Sequence, residues 1–191
     1  PARQLLNDLD ALPMPDLELA TLSSYAKVYN PVRGKFEKMF SVFGSRGCPF
    51  KCTFCMPLLS RKRRTRSIDS IINEIELLVS KHDACRIYFE DSLFGSSMDW
   101  FESFCKAFKK QNLHKKVHWG FETRIDTAHS EMFRLAVEAG CIDTFFGMES
   151  ASAPVLKKAN KSYTKKNIWE KISAAKAAGL NKVIVSIIFG L

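Results

Sequence analysis

The sequence lacks any apolar run near the ~20 residues that a membrane-spanning helix needs. No charged, apolar and small-residue succession at its start reads as a signal peptide. Histidine is scarce at four residues, and His82, His114, His118 and His129 are scattered without the spacing of a triad or a metal site. Six cysteines are present, yet a chain of 191 residues with 46% hydrophobic content is too long and too core-rich for a disulfide scaffold. These absences predict a reduced, cytoplasmic protein of one domain. The chain opens on Pro1, so its native N-terminus is expected to lie upstream.

Three of the six cysteines fall within Arg46-Gly47-Cys48-Pro49-Phe50-Lys51-Cys52-Thr53-Phe54-Cys55. Thiolate is the preferred ligand of zinc and of iron–sulfur clusters. A structural zinc site wants four protein ligands, and no fourth Cys or His is near; the next are His82 and Cys85. Three ligands on a four-iron cube leave one iron open, a place for a substrate. Cys141 is expected to pack as a small hydrophobe, and Cys105, on an apolar helix face, and Cys85, before a strand, to be inert rather than ligands.

The remaining pattern alternates strand and helix. Met39–Gly44 reads as a first strand feeding the cysteine loop. Ser67 caps a helix with Ile68, Ile71, Ile72, Ile75, Leu78 and Val79 on one face. Arg86–Asp91 is a second strand, and Ser96 with Asp99 is spaced as a capping box for the helix carrying Phe101, Phe104 and Phe108. Val117–Phe121 and Ile142–Gly147 are further strands, separated by a helix over 128–139 that stops at Gly140. A turn at Pro154, a helix opened by Thr164, and the apolar Val183–Phe189 complete the series. That last run suits a parallel strand covered on both faces. Five alternations predict an α/β fold with a parallel sheet and right-handed crossovers. Residues 1–38 read as an N-terminal connector or arm and 39–191 as the core.

The formal charge is +9, much of it in Arg61-Lys62-Arg63-Arg64-Thr65-Arg66. The run reads either as a solvated face or as an attractor for an anionic substrate, an acidic electron donor or a phosphate.

The cysteine run resembles the signature of the radical S-adenosylmethionine (SAM) superfamily, Cys-x3-Cys-x-aromatic-Cys, with Phe54 in the aromatic place. The resemblance implies a partial (β/α) barrel with about five of six strand–helix units present, and a [4Fe–4S] cluster on Cys48, Cys52 and Cys55 whose open iron chelates SAM. It implies SAM contacts from Phe54, from Glu90 and Asp91 after the second strand, and from Arg124 in Thr123-Arg124-Ile125-Asp126. Glu149 and Ser150 in Gly147-Met148-Glu149-Ser150, and the last strand near Ile187, are implied as further contacts. Arg124 pairs either with a SAM carboxylate or with Glu149. Leu12-Pro13-Met14-Pro15 resembles the connector to a cobalamin-binding domain in one branch, which implies cobalamin-dependent methylation or oxidative rearrangement of a small-molecule substrate. A reducing partner such as flavodoxin or ferredoxin follows, and nucleic acid is not expected. Relatives continue Phe-Gly-Leu with Pro-Gly-Glu-Thr, so the chain is expected to be a fragment that stops before the sixth strand. The rivals are a cobalamin-free enzyme of methylthiotransferase or tetrapyrrole-oxidase type, and a non-catalytic, metal-stabilised basic module that binds nucleic acid.

Overall fold

The computed structural model describes residues 4–19, 27–56 and 60–191. Its first elements are β1 (Lys27–Asn30) and β2 (Lys35–Val42), an antiparallel hairpin. The sequence pattern placed no strand before Met39. The reason is that β2 puts the charged Glu37 inward, only 4% exposed, and leaves Phe36 outside, 66% exposed. The usual apolar alternation is therefore inverted over its first half.

β3 (Ser45–Arg46) and β4 (Arg64–Thr65) form a small antiparallel ribbon. It pins both ends of the cysteine-bearing loop. Helix α1 (Ile68–His82) follows, with the Ser67 hydroxyl accepting from the Ser70 N–H. Next come β5 (Arg86–Phe89), α2 (Met98–Lys110), a 3-10 turn over 113–115 and β6 (His118–Arg124). The cap of α2 is Ser97, which accepts from Trp100, and not Ser96. Then follow α3 (Ser130–Glu138), β7 (Cys141–Glu149), α4 (Ala153–Lys158), α5 (Lys165–Ala177) and β8 (Lys182–Ile187). The expected turn at Pro154 is the short helix α4, because proline fits the first helical turn. Thr164 and Asn167 close a reciprocal capping box on α5.

The large sheet has the order β1-β2-β5-β6-β7-β8. From β2 onward every pairing is parallel and each strand lies beside its predecessor in the chain. This is the parallel sheet that the alternation predicts, curled into the half-barrel that the resemblance implies. Its helices cover the outer face, where Ile71, Ile75, Phe101, Phe104, Phe108 and Phe133 meet Phe89, Trp119, Phe121 and Phe146 in one buried cluster. Phe94 stacks on Phe89 with centroids 4.2 Å apart, and the Trp119 indole donates to the Ala139 carbonyl at 2.8 Å. Each such ring contributes about 1.5–3 kcal/mol by burial.

β8 departs from expectation. It ends at Ile187 and is half-buried at most, because it is the edge of the described sheet; Phe189 is 91% exposed. Cys105 and Cys141 are buried in the core as expected, and burial pushes both thiols well up from their ordinary value.

Candidate functional site

Cys48, Cys52 and Cys55 lie on the loop between β3 and β4, at the C-terminal end of the parallel strands. There the strand ends leave polar groups free to meet a ligand. Gly47 starts the loop at φ +87°, and a side chain there would collide with the Lys62 and Ser60 carbonyls. That close approach lets Cys48 N–H donate to the Ser60 carbonyl at 3.2 Å. The far side of the loop rests on α4: Thr53 donates from N and Oγ1 to the Ala159 and Lys158 carbonyls at 3.3 and 3.0 Å, and Asn160 Nδ2 donates to the Lys51 carbonyl at 2.8 Å. The helix read as a turn is thus the cradle of the cysteine loop.

The three thiols are free, and Phe50, Phe54, Arg124, Glu149 and Lys161 join them around a cavity of about 450 Å³. Among the described residues no trio of His, Cys, Asp or Glu converges on a single metal ion. A four-iron cluster does not ask for that, since each thiolate takes its own iron. Three cysteines with no fourth protein ligand, facing one roomy cavity, fit such a cluster with one iron open.

Arg124 is 6% exposed. Its guanidinium donates to both Asp126 oxygens at 2.8 and 2.7 Å and to Cys52 Sγ at 3.0 Å, and lies 3.7 Å from the centroid of Phe50. Burial opposes its charge, but Asp126 and Cys52 outweigh that and raise its pKa. Of the two alternatives for Arg124, the pair with Glu149 is not formed; the guanidinium pairs with Asp126, in the turn just after β6. Glu149 instead accepts from Lys161 Nζ at 2.8 Å and Ser186 Oγ at 2.7 Å. It holds a left-handed backbone, φ +60°, where the register between β7 and β8 shifts. Such a conformation persists only when its surroundings enforce it.

The other expected contacts lie elsewhere. Asp91 is 1% exposed and accepts from Gly44 N–H at 2.9 Å and from the Ser45 hydroxyl; it secures the entry to the cysteine loop. Burial pushes its carboxyl up to about 6 against those hydrogen bonds. Glu90 is exposed on the concave face and accepts from Ser41 Oγ at 3.0 Å. Ser150 Oγ accepts from Ser152 N–H at 3.1 Å, and Ile187 is 53% exposed; neither lines the cavity. Lys161, Ser186 and Glu122 line it without having been singled out.

The basic run is no uniform solvated face. Arg61 lines the cavity. Lys62 Nζ donates to Asn7 Oδ1 at 2.8 Å and Arg64 to the Leu6 carbonyl at 2.5 Å. Arg66 pairs with Glu74 and bonds the Phe43 and Ser70 carbonyls, and Ser67 N–H donates to Asp10 at 2.9 Å. Most of this charge latches the N-terminal arm onto the segment that closes the cysteine loop.

The sequence matches the Radical SAM superfamily over residues 42–191. The chain belongs to the radical SAM superfamily. It is 28% identical over 183 residues to an uncharacterized methyltransferase of Pyrococcus horikoshii, covering 95% of this chain and 38% of that protein. It is 31% identical over 167 residues to the anaerobic magnesium-protoporphyrin IX monomethyl ester cyclase of Rubrivivax gelatinosus, covering 86% of this chain and 29% of the relative. In fold it is similar to the cobalamin-dependent SAM radical enzyme OxsB, with a TM-score of 0.70, 24% identity, and coverage of 78% of this chain and 23% of that one. The chain therefore spans well under half the length of these proteins. The radical SAM domain here is the half-barrel itself, with the superfamily's cysteine signature on the loop that β3 and β4 pin. No helix among the described residues is long and apolar enough to cross a membrane.

Proposed function

We propose that this domain holds a [4Fe–4S] cluster on Cys48, Cys52 and Cys55 and cleaves SAM reductively, within an enzyme that uses cobalamin to methylate or oxidatively rearrange a small-molecule substrate. The observation that carries the reading is the meeting of three free thiols with three cations, Arg61, Arg124 and Lys161, and a strained carboxylate around one cavity. When bound, the cluster supplies the electron that breaks the sulfonium bond of SAM and yields a 5′-deoxyadenosyl radical.

The chain's own residues give that cavity its polarity. Arg124 fixes Cys52 and Phe50 relative to β6. Lys161 sets the Glu149 carboxylate at the mouth of β7, an acceptor for the amino group or the ribose hydroxyls of SAM. Phe54 offers an apolar wall. Similarity to a cobalamin-dependent enzyme and to a methyltransferase supports the cobalamin branch, as does the resemblance of Leu12-Pro13-Met14-Pro15 to the connector of that branch. A flavodoxin- or ferredoxin-type reductant and a cytoplasmic setting belong to the same proposal.

Anaerobic reconstitution tests it. Dithionite and SAM should release 5′-deoxyadenosine from the wild type and none from Cys52→Ala. A chain that retains zinc and takes no iron sinks the reading. Cobalamin binding by the full-length gene product tests the narrower branch.

A further inference from the structure

A second hollow, of about 480 Å³, lies between the cysteine loop and α4 and opens outward. Phe50, Arg124 and Lys161 line both this hollow and the cysteine cavity. Their side chains form a wall shared by the two spaces.

The charge of the outer hollow is one-sided. Lys51 and Lys157 line it, and no carboxylate does. Asp126 stands at its edge, where Ser162 Oγ donates to it at 3.4 Å, but Arg124 takes up both its oxygens. Lys161 is paired with Glu149. Lys51, Lys157 and Lys158 are exposed, and among the described residues no ion pair engages them. The packing of the loop on α4 gathers them. Asn160 Nδ2 donates to the Lys51 carbonyl at 2.8 Å, and Thr53 Oγ1 to the Lys158 carbonyl at 3.0 Å.

Resting on the proposed function, we infer that this basic hollow is the docking face for an acidic one-electron carrier protein of flavodoxin type. Carboxylates on the carrier meet Lys51, Lys157 and Lys158, and its flavin edge comes against the Phe50 wall. Exposed ammonium groups are strongly hydrated point charges, which speed encounter more than they hold a partner. That suits a carrier that must leave again. The carrier gives up one electron and the cluster takes it, across the wall that Phe50 and Arg124 build beside Cys52. Single-stranded nucleic acid wants an open aromatic face on which to stack its bases. Here the Arg124 guanidinium lies 3.7 Å from the Phe50 centroid, and Tyr163 is 5% exposed.

The test measures binding of oxidised flavodoxin to the chain, without and with its cluster, by calorimetry over a salt series. Affinity is expected to fall as salt rises. K157E/K158E is expected to bind about tenfold more weakly or worse, and K51Q to lose less. K110E/K115E, exposed at the opposite end of the strands, should match the wild type. With cluster bound, K157E/K158E should slow reduction by reduced flavodoxin and leave reduction by photoreduced 5-deazariboflavin, small and uncharged, unaltered. Unchanged binding in K157E/K158E, equal loss in K110E/K115E, or equal slowing with both reductants overturns the inference. So does a short single-stranded RNA that binds the same lysines more tightly than flavodoxin does. Should K157E/K158E fail to fold, K157Q/K158Q reads the same contrast. Failure of the functional reading shows separately, as absence of a four-iron spectrum and of 5′-deoxyadenosine. The binding comparison on the cluster-free chain then still decides the docking face.

Discussion

Arg86 on β5 and Asp143 on β7 form a buried ion pair that crosses the intervening strand β6 above Gly120. Any Cβ at position 120 would run into the Asp143 carboxylate, so the bridge exists because β6 carries a glycine there. It joins alternate strands from inside, where helices cannot reach. Arg86 Nη1 also donates to the Tyr29 carbonyl at 3.2 Å, which extends the tie to β1.

Gly120→Ala is therefore expected to displace Asp143 and to cost about 3–5 kcal/mol, the scale of an uncompensated buried charge. Arg86→Met should cost a similar amount. The R86M/D143L double variant should recover most of that loss, since it leaves no orphaned charge. Urea titrations of the set measure this, and a double variant no better than R86M refutes it.

His118 carries a pH dependence. Asn30 Oδ1 accepts from Val32 and Arg33 N–H, so its Nδ2 is the donor, to Glu37 at 2.7 Å and to His118 Nδ1 at 3.0 Å. The ring must be neutral to accept. Burial, then Arg33, depresses its pKa below the ordinary 6.5. A histidine depressed in the folded state contributes fully above its unfolded pKa and loses that contribution as pH falls through the folded one. The β1–β2 hairpin should therefore loosen below about pH 6.5. The His118 ring and Asn30 side-chain amide resonances should titrate together, with a midpoint under that value; independent titration argues against the coupling.

The parallel strands and their helices were legible because one-face spacing and caps such as Ser67 and Thr164 are local signals. The β1–β2 hairpin was not, since the positions it buries before Met39 are the polar Asn30 and Glu37, satisfied by partners that only the fold supplies. At the site the three cysteines announced themselves by spacing. Arg124 was visible, but Asp126, two residues away in the following turn, was not among the partners expected for it. Lys161 gave no signal, because a lone lysine after a short helix becomes a cavity residue only when α4 packs against the cysteine loop. Glu90 and Asp91 looked equivalent, yet adjacent residues leaving a strand face opposite sides. Glu90 meets Ser41 on the concave face, and Asp91 anchors the loop.

The arm latch gives a third expectation. Asp10 accepts two hydrogen bonds from the Ser67 N–H, at 2.9 and 3.2 Å, and lies 4.0 Å from Arg66 Nε. Asp10→Ala should free the arm at a cost of about 1 kcal/mol, the usual value of a lost cap bond. Limited proteolysis should then cut within residues 4–19 faster than in the wild type, with the half-barrel left intact. Equal cutting rates argue against the latch.

Lys161 offers the sharpest test of how the cavity is held. Its side chain is 3% exposed, and Nζ donates to the Gly147 carbonyl and to Glu149 Oε1, each at 2.8 Å. Tyr163 adds its hydroxyl to the Gly147 and Met148 carbonyls at 3.0 and 2.8 Å. Together they clamp the end of β7 in the bulged path that gives Glu149 its positive φ. Lys161→Met keeps the unbranched apolar stem and deletes the ammonium that makes both hydrogen bonds, leaving Glu149 buried with only Ser186. The expected cost is about 3–5 kcal/mol in stability. Without its clamp, Glu149 is expected to relax out of the left-handed region and to lose its aim at the cavity. Binding of 5′-deoxyadenosine to the cluster-free chain, followed by calorimetry, should weaken by about tenfold or more, while Tyr163→Phe should show a smaller loss. A K161M chain that is destabilised but binds the nucleoside normally would show that the clamp serves the fold alone.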